Sequence, residues 1–222
     1  MSPPHALFMC ELRLAWSGGG GAAGPAAFLL AALTLVPLAM GPAPDLIAAA
    51  GPGVISFALL LACWQPAERL FGDDASDGTL EVYVLSGQSL TLIGLIKTLA
   101  FLVAVFWPAP ALIALAGIAY GLSGEAVFAL TLALTLALPG LILISAFAAS
   151  LAAGLKRAGL LIALIAAPLQ IPVLVFASGA ARAAETSMGS VTAHFLLTAS
   201  ASLIALVLAP VGMGWAIKSR LE

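Results

Sequence analysis

Five of the chain's ten carboxylates, Glu68, Asp73, Asp74, Asp77 and Glu81, fall within "ERLFGDDASDGTLEVYVLSG" at residues 68–87, beside Arg69, Phe71 and Tyr83. Oxygen donors at that density suggest a calcium loop of the D-x-[DN]-x-[DN]-G type. Counted from Asp73, Asp77 and Gly78 fit positions five and six, but Ala75 stands at position three and Val84 at position twelve, where a bidentate glutamate is required. The calcium reading fails. A nucleotide site fares no better: Ile96 precedes the Lys97-Thr98 pair and Leu155 precedes Lys156, where a phosphate-binding loop needs glycine. No Ser/His/Asp set has a workable placement, and His5 and His194 are the only imidazoles. No catalytic and no metal-binding residue is therefore assigned. The chain is expected not to be an enzyme, and any ATP-driven work falls to another chain.

A helix start accounts for the local pattern better. Asp77 is placed to cap the free N–H groups of a helix beginning at Gly78 or Thr79, Glu81 adds negative charge to its first turn, and Gly87 supplies the stop. Leu80, Tyr83 and Val84 then share a face at i, i+3 and i+4, with Leu85 beside them. Such a short amphipathic helix is either a solvated connector or a docking element. As a docking element it suits a basic protein partner better than lipid, because an anionic leaflet repels clustered acids.

The elements that must hold this stretch are membrane spans. The 222 residues are 63% hydrophobic and 8% charged, with a mean hydropathy of +1.17, against about 45–50% apolar and about 25% charged in soluble domains. The net charge is −2 and the eight Lys and Arg form no basic stripe, which excludes a nucleic-acid partner. A bilayer core of about 30 Å takes about 20 apolar residues in a helix. Runs of that kind place spans at approximately 22–40, 52–70, 90–107, 126–152, 158–178 and 194–217, in one transmembrane domain over residues 1–222. The first run is longer than a signal-peptide core of about 7–15 residues and is expected to remain as a span. Pro52 suits a helix start, so "GPAPDLIAAAG" before it reads as a short outer loop. The apolar run over 90–120 would be about 46 Å long as one helix. "WPAP" at 107–110 breaks it and leaves 111–120 as a re-entrant or outer-surface helix.

Orientation follows from the cations. With both termini inside, Arg13, Arg69, Lys97, Lys156, Arg157, Lys218 and Arg220 lie on the cytoplasmic side and Arg182 alone lies outside. The acidic stretch is then cytoplasmic, as a short helix between spans two and three. The expected fold class is an all-α integral membrane protein with six transmembrane helices. In "ALFMCELRLAW", Phe8, Leu12 and Trp16 recur every four residues with Glu11 and Arg13 off their stripe, which reads as an interfacial helix, and "SGGGG" after Trp16 reads as a hinge. Cys10 and Cys63 are too few for a disulfide framework or a metal cluster and are read as packing residues. His194, a lone imidazole near an outer span end, reads as interfacial. Gln170 sits between Pro168 and Pro172 inside a span: the three either mark a pathway, or the amide bonds a carbonyl freed by the prolines.

"ERLFGDDASDGTLE" resembles the E-R-L-F-x-x-D-x-x-D-G-x-L-E pattern of the haem exporter protein B family, the membrane subunit of the ABC transporter complex in bacterial cytochrome c maturation. "GPAPDLIAAAGPGVI" at 41–55, "GLKRAG" at 154–159, "APLQIPVLVFAS" at 167–178 and the N-terminal "ELRLA" are similar to further family segments. The chain departs from the family at "SGQSLT" (86–91), where prolines are usual, and at Leu99, Ala100 and Phe101, where the family carries Ala-His-Trp. The resemblance implies a multi-pass protein of the bacterial inner membrane. It implies as partners an ABC ATPase subunit, a haem-handling C subunit, a small D subunit and a periplasmic haem chaperone, with a homodimer of this chain in the complex, and haem as a transported or neighbouring ligand rather than a firmly bound cofactor. ATP hydrolysis by the partner would then drive release of haem-loaded chaperone or translocation of haem. The ATPase-coupling candidates are Glu68, Arg69, Asp73, Asp74, Asp77, Gly78, Leu80, Glu81 and Tyr83, with Lys156 and Arg157 in the other inner loop. Asp73, Asp74, Asp77 and Glu81 would meet basic groups on the ATPase while Leu80 and Tyr83 pack the joint. Two other classes stay open: a secondary transporter using Gln170, Glu125 and the broken spans, and a membrane anchor that recruits a cytoplasmic partner through its acids.

Overall fold

A computed structural model of the chain describes residues 3–17, 23–186 and 189–220. The described residues form helices α1 (Pro3–Ser17), α2 (Ala23–Met40), α3 (Pro44–Asp77), α4 (Thr79–Leu85), α5 (Leu90–Phe106), α6 (Ala109–Ala119), α7 (Gly124–Ala152), α8 (Ala158–Thr186) and α9 (Val191–Arg220). Five of them, α2, α3, α7, α8 and α9, are long and apolar enough to cross a membrane, and α5 with α6 makes a sixth if the bent pair counts as one span. The glycine hinge expected at 18–21 lies outside the described residues.

Helix ends follow local chemistry. The Ser89 and Ser123 hydroxyls accept from Leu92 N and Ala126 N at the starts of α5 and α7, as capping serines do. Asp77 Oδ1 accepts from Thr79 N at 2.9 Å, and Gly78 at φ 83° makes the left-handed turn between α3 and α4, where a side chain would be strained. The expected break after α5 falls at Trp107 and Pro108, and α6 leaves it at 44°.

One expectation is corrected. Pro52 does not begin a helix: α3 starts at Pro44 and runs unbroken through Pro52 and Pro66 to Asp77, so most of the expected outer loop is helical. Prolines are tolerated in such a helix because neighbouring groups re-satisfy the backbone. At 34 residues and a rise of 1.5 Å per residue, α3 is about 51 Å long, roughly 20 Å more than a bilayer core. It carries the acidic residues 68–77 on its own last turns, rigidly joined to a span.

α7 is the central column, packing against α3, α6, α8 and α9. One storey of the core joins the α2, α6 and α7 side of the bundle through residues such as Ile55, Leu59, Ile113 and Leu130; the other joins Phe71, Leu80, Leu143, Ile162 and Met213 at the acidic end. Between helices in lipid the attraction is close packing rather than hydrophobic transfer, and small residues permit it. Ala126, Ala129, Ala133, Ala137 and Gly140 are all buried along α7. A side chain at Gly140 would meet Ser202 of α9, and one at Gly94 or Gly214 would meet Met213 or Thr91 across the contact of α5 with α9. Pro37 leaves the Leu33 carbonyl of α2 without its helical donor, and the Tyr120 hydroxyl supplies one at 3.1 Å.

Candidate functional site

The acidic end is organised by a residue that lies outside it. Lys97, on α5, is 2% exposed. Its Nζ lies 2.8 Å from Glu11 Oε1 of α1 and 2.8 Å from Asp74 Oδ2 of α3, and 5.8 Å from the centroid of the Tyr83 ring of α4. The Tyr83 hydroxyl donates to the same Glu11 oxygen at 3.3 Å. Burial pushes that hydroxyl up to about 12; Lys97 pulls against the rise while Glu11 and Asp74 add to it, so it stays a proton donor at neutral pH. One cation thus ties four helices together. A buried charge persists only when paired and hydrogen-bonded, and here two carboxylates and a ring surround it.

This cluster redistributes the residues named from sequence. Asp74 is buried against Lys97, whereas Glu68, Arg69, Asp73, Asp77 and Glu81 are exposed. Leu80 is 1% exposed and sits with Phe71 in the chain's own core, so it holds α4 to the bundle and has no surface left for a partner. Tyr83 is half-buried, with its hydroxyl turned to Glu11. The apolar side chains that α4 leaves outside are Val82 and Leu85. Lys156 and Arg157 are exposed in the turn between α7 and α8. Glu68 brings the end of α3 to the start of α8: its carboxylate rests over Gly159, where a Cβ would come within 3.1 Å of Oε2.

On α1 the structure gives Glu11, read as lying off the apolar stripe, a buried partner. Glu11 points inward to Lys97, Leu12 and Ala15 pack on the core, and Trp16 is exposed. Cys63 is buried but Cys10 is exposed, so only the first behaves as a packing residue.

Gln170 is fully buried and bonded on every side. Its amide donates to the Leu141 carbonyl at 2.7 Å and to Ser145 Oγ at 2.8 Å, and its oxygen accepts from Trp64 Nε1 at 2.6 Å. The carbonyl it bonds belongs to α7, not to a position that Pro168 or Pro172 frees in α8. Both prolines are exposed on the other face of an unbroken helix. The three residues therefore do not converge on one site; Gln170 cross-links α3, α7 and α8. Among the described residues no three His, Cys, Asp or Glu side chains come together as a metal set.

Sequence reasoning missed Glu11 and Lys97. A lysine inside an apolar run is a signal in itself, since an intramembrane charge calls for a partner, but the partners come from α1 and α3, far from it in the chain.

The fold and this charge-clasped end define an all-helical, multi-pass membrane protein. The family model described as CcmB protein matches residues 4–220, and the chain belongs to that family. It is 37% identical over 212 residues to heme exporter protein B of Pseudomonas aeruginosa, covering 96% of this chain and 95% of the relative. It is 33% identical over 217 residues to heme exporter protein B of Paracoccus denitrificans, covering 98% and 99%. The protein of the same name in Escherichia coli K12 is 37% identical over 179 residues, 81% of each chain.

Proposed function

We propose that this chain is the membrane subunit of an ABC-type complex of the bacterial inner membrane that acts in haem export and cytochrome c maturation. In this reading it has no ATPase activity of its own and converts hydrolysis by a partner subunit into movement of its spans. The observation that carries the reading is the match to proteins named heme exporter protein B over nearly the whole of both chains. The absence of a phosphate-binding loop from the sequence agrees with a partner that supplies the nucleotide site.

The mechanical part rests on α3. Asp73 and Asp77 stand exposed on the last turns of a helix that runs into a span without a break, Glu81, Val82 and Leu85 stand exposed on α4 just past the Gly78 turn, and Lys156 and Arg157 lie in the other inner turn. A soluble subunit that grips the acids and closes on nucleotide would move α3 as a lever, and the Lys97 cluster would pass that motion to α1 and α5. Both termini are cytoplasmic in this scheme, and a second membrane half, a copy of this chain, pairs with it. Haem is cargo, carried across or passed to a periplasmic chaperone, with haem-handling C and small D subunits as further partners.

The test is complementation. A bacterial strain lacking its own member of the family, and hence covalent haem in its c-type cytochromes, is expected to regain haem-stained bands when it expresses this chain with its cognate ATPase. Membrane-inserted chain that restores none would overturn the proposal.

A further inference from the structure

Between α1, α3 and α5, where α2 begins, lies a cavity of about 420 Å³ whose lining changes character along its length. α5 contributes Lys97, Phe101 and Val105, one turn apart, so that side runs from a charge to a purely apolar wall. α3 contributes Gln65, Arg69 and Asp73 at the same helical spacing. Its volume falls in the range of ligand-sized pockets, about 300–1,000 Å³. A cavity graded from charged to apolar fits an amphiphile.

The charges say which one. Glu11 and Asp74 are consumed by Lys97. Arg69 and Asp73 are exposed and have no ion-pair partner among the described residues. They stand at i and i+4 on α3, neighbours on one helix face about 5–6 Å apart at Cβ. That pair offers one donor fork for a phosphate and one acceptor for an ammonium. A headgroup with phosphate alone would answer Arg69 but face Asp73, the lining carboxylate that Lys97 does not neutralise, with nothing to pair it.

We infer that this cavity binds one zwitterionic phospholipid, a phosphatidylethanolamine of the adjoining leaflet, with its phosphate on Arg69, its ammonium on Asp73 and the start of one acyl chain along Phe101 and Val105. The lipid site shares Asp73 with the acids proposed to meet a soluble subunit, and lipid binding there does not depend on that role. A lipid held there lies directly against the Lys97 cluster and fills the space between α1 and the spans, so its presence stiffens the junction through which α3 meets α5.

The experiment uses the full chain in nanodiscs of equal phosphatidylethanolamine and phosphatidylglycerol, followed by native mass spectrometry after mild delipidation. Wild-type protein is expected to keep one phosphatidylethanolamine per chain. Arg69→Gln, and Ala15→Trp, which fills the cavity with an indole, are expected to lose it about tenfold, the effect of one charge-assisted contact. In wild-type protein, which needs no variant to fold, a phosphatidylethanolamine with a photoreactive acyl chain is expected to label residues 97–105. Retention of both lipids in their bulk ratio, or label spread evenly over α2 and α9, would overturn the proposal. So would a chain-to-chain crosslink at 97–105, which would give the cavity to a second copy.

Discussion

Replacing Lys97 with methionine is expected to cost about 3–5 kcal/mol, the usual penalty for removing one partner of a buried ion pair. Methionine matches the stem in length, so packing survives, but Glu11 and Asp74 are left facing one another without the cation that both contact at 2.8 Å. In a chain of this size each kcal/mol moves the midpoint by about 2–4 °C, so a loss on the order of 10 °C in thermal unfolding in detergent is the expected reading. The triple variant Lys97→Met/Glu11→Gln/Asp74→Asn should recover most of it, because neutral groups of the same shape carry no uncompensated charge. A single variant as stable as wild type would mean that the carboxylates are solvated and that the clasp does not hold α1 and α3 to α5.

The second large effect is expected at Gly140, in the contact of α7 with α9. A methyl group there would stand 2.7 Å from Ser202 Oγ and 2.9 Å from Ser202 Cα. The second atom is backbone, so the helices themselves must part. The Ser202 hydroxyl also donates to the Leu136 carbonyl at 2.7 Å, and that bond is lost as they separate. Overpacking costs about 1–3 kcal/mol, and a hydrogen bond between membrane helices adds about 0.6. Gly140→Ala should therefore lower the unfolding midpoint clearly, and Gly140→Leu should prevent a monodisperse preparation. Moving the small residue across the interface, as Gly140→Ala/Ser202→Gly, should restore part of the loss. Gly53→Ala is the control: nothing lies within 4 Å of its added carbon, and alanine favours the helix.

The two results bear on what could be read from the sequence. Helix existence was legible because runs of about 20 apolar residues have few alternatives, and the break between α5 and α6 was legible because Pro108 and Pro110 follow Trp107 in a run too long for one crossing. Asp77 at the start of α4 was legible from local capping chemistry. The length of α3 was not: a proline in a membrane helix is as compatible with a start as with an interior, and only tertiary contacts decide.

The site was legible as a charge-rich region but not residue by residue. The spacing of Leu80 and Tyr83 revealed a helix face without revealing that this face turns to the chain's own core. Asp74 could not be told from Asp73 by composition; what separates them is Lys97, which reaches one and not the other. Gln170 was visible as an oddity in a span, but its partners, Trp64, Leu141 and Ser145, lie on two other helices.

These assignments change which acids to reverse when the partner is sought. Asp74→Lys would break the internal clasp and confuse misfolding with lost docking. Asp73→Lys/Asp77→Lys/Glu81→Lys alters only exposed carboxylates and leaves Glu11, Asp74 and Lys97 as they are. The deciding measurement is co-purification in detergent of the cognate ABC ATPase with wild-type chain and with this triple variant, scoring the recovered complex and its ATP hydrolysis. The variant should insert and elute as wild type does while losing the ATPase or its stimulation. A variant that retains the ATPase and stimulates it as fully as wild type would contradict the assignment of this acidic end as the coupling surface.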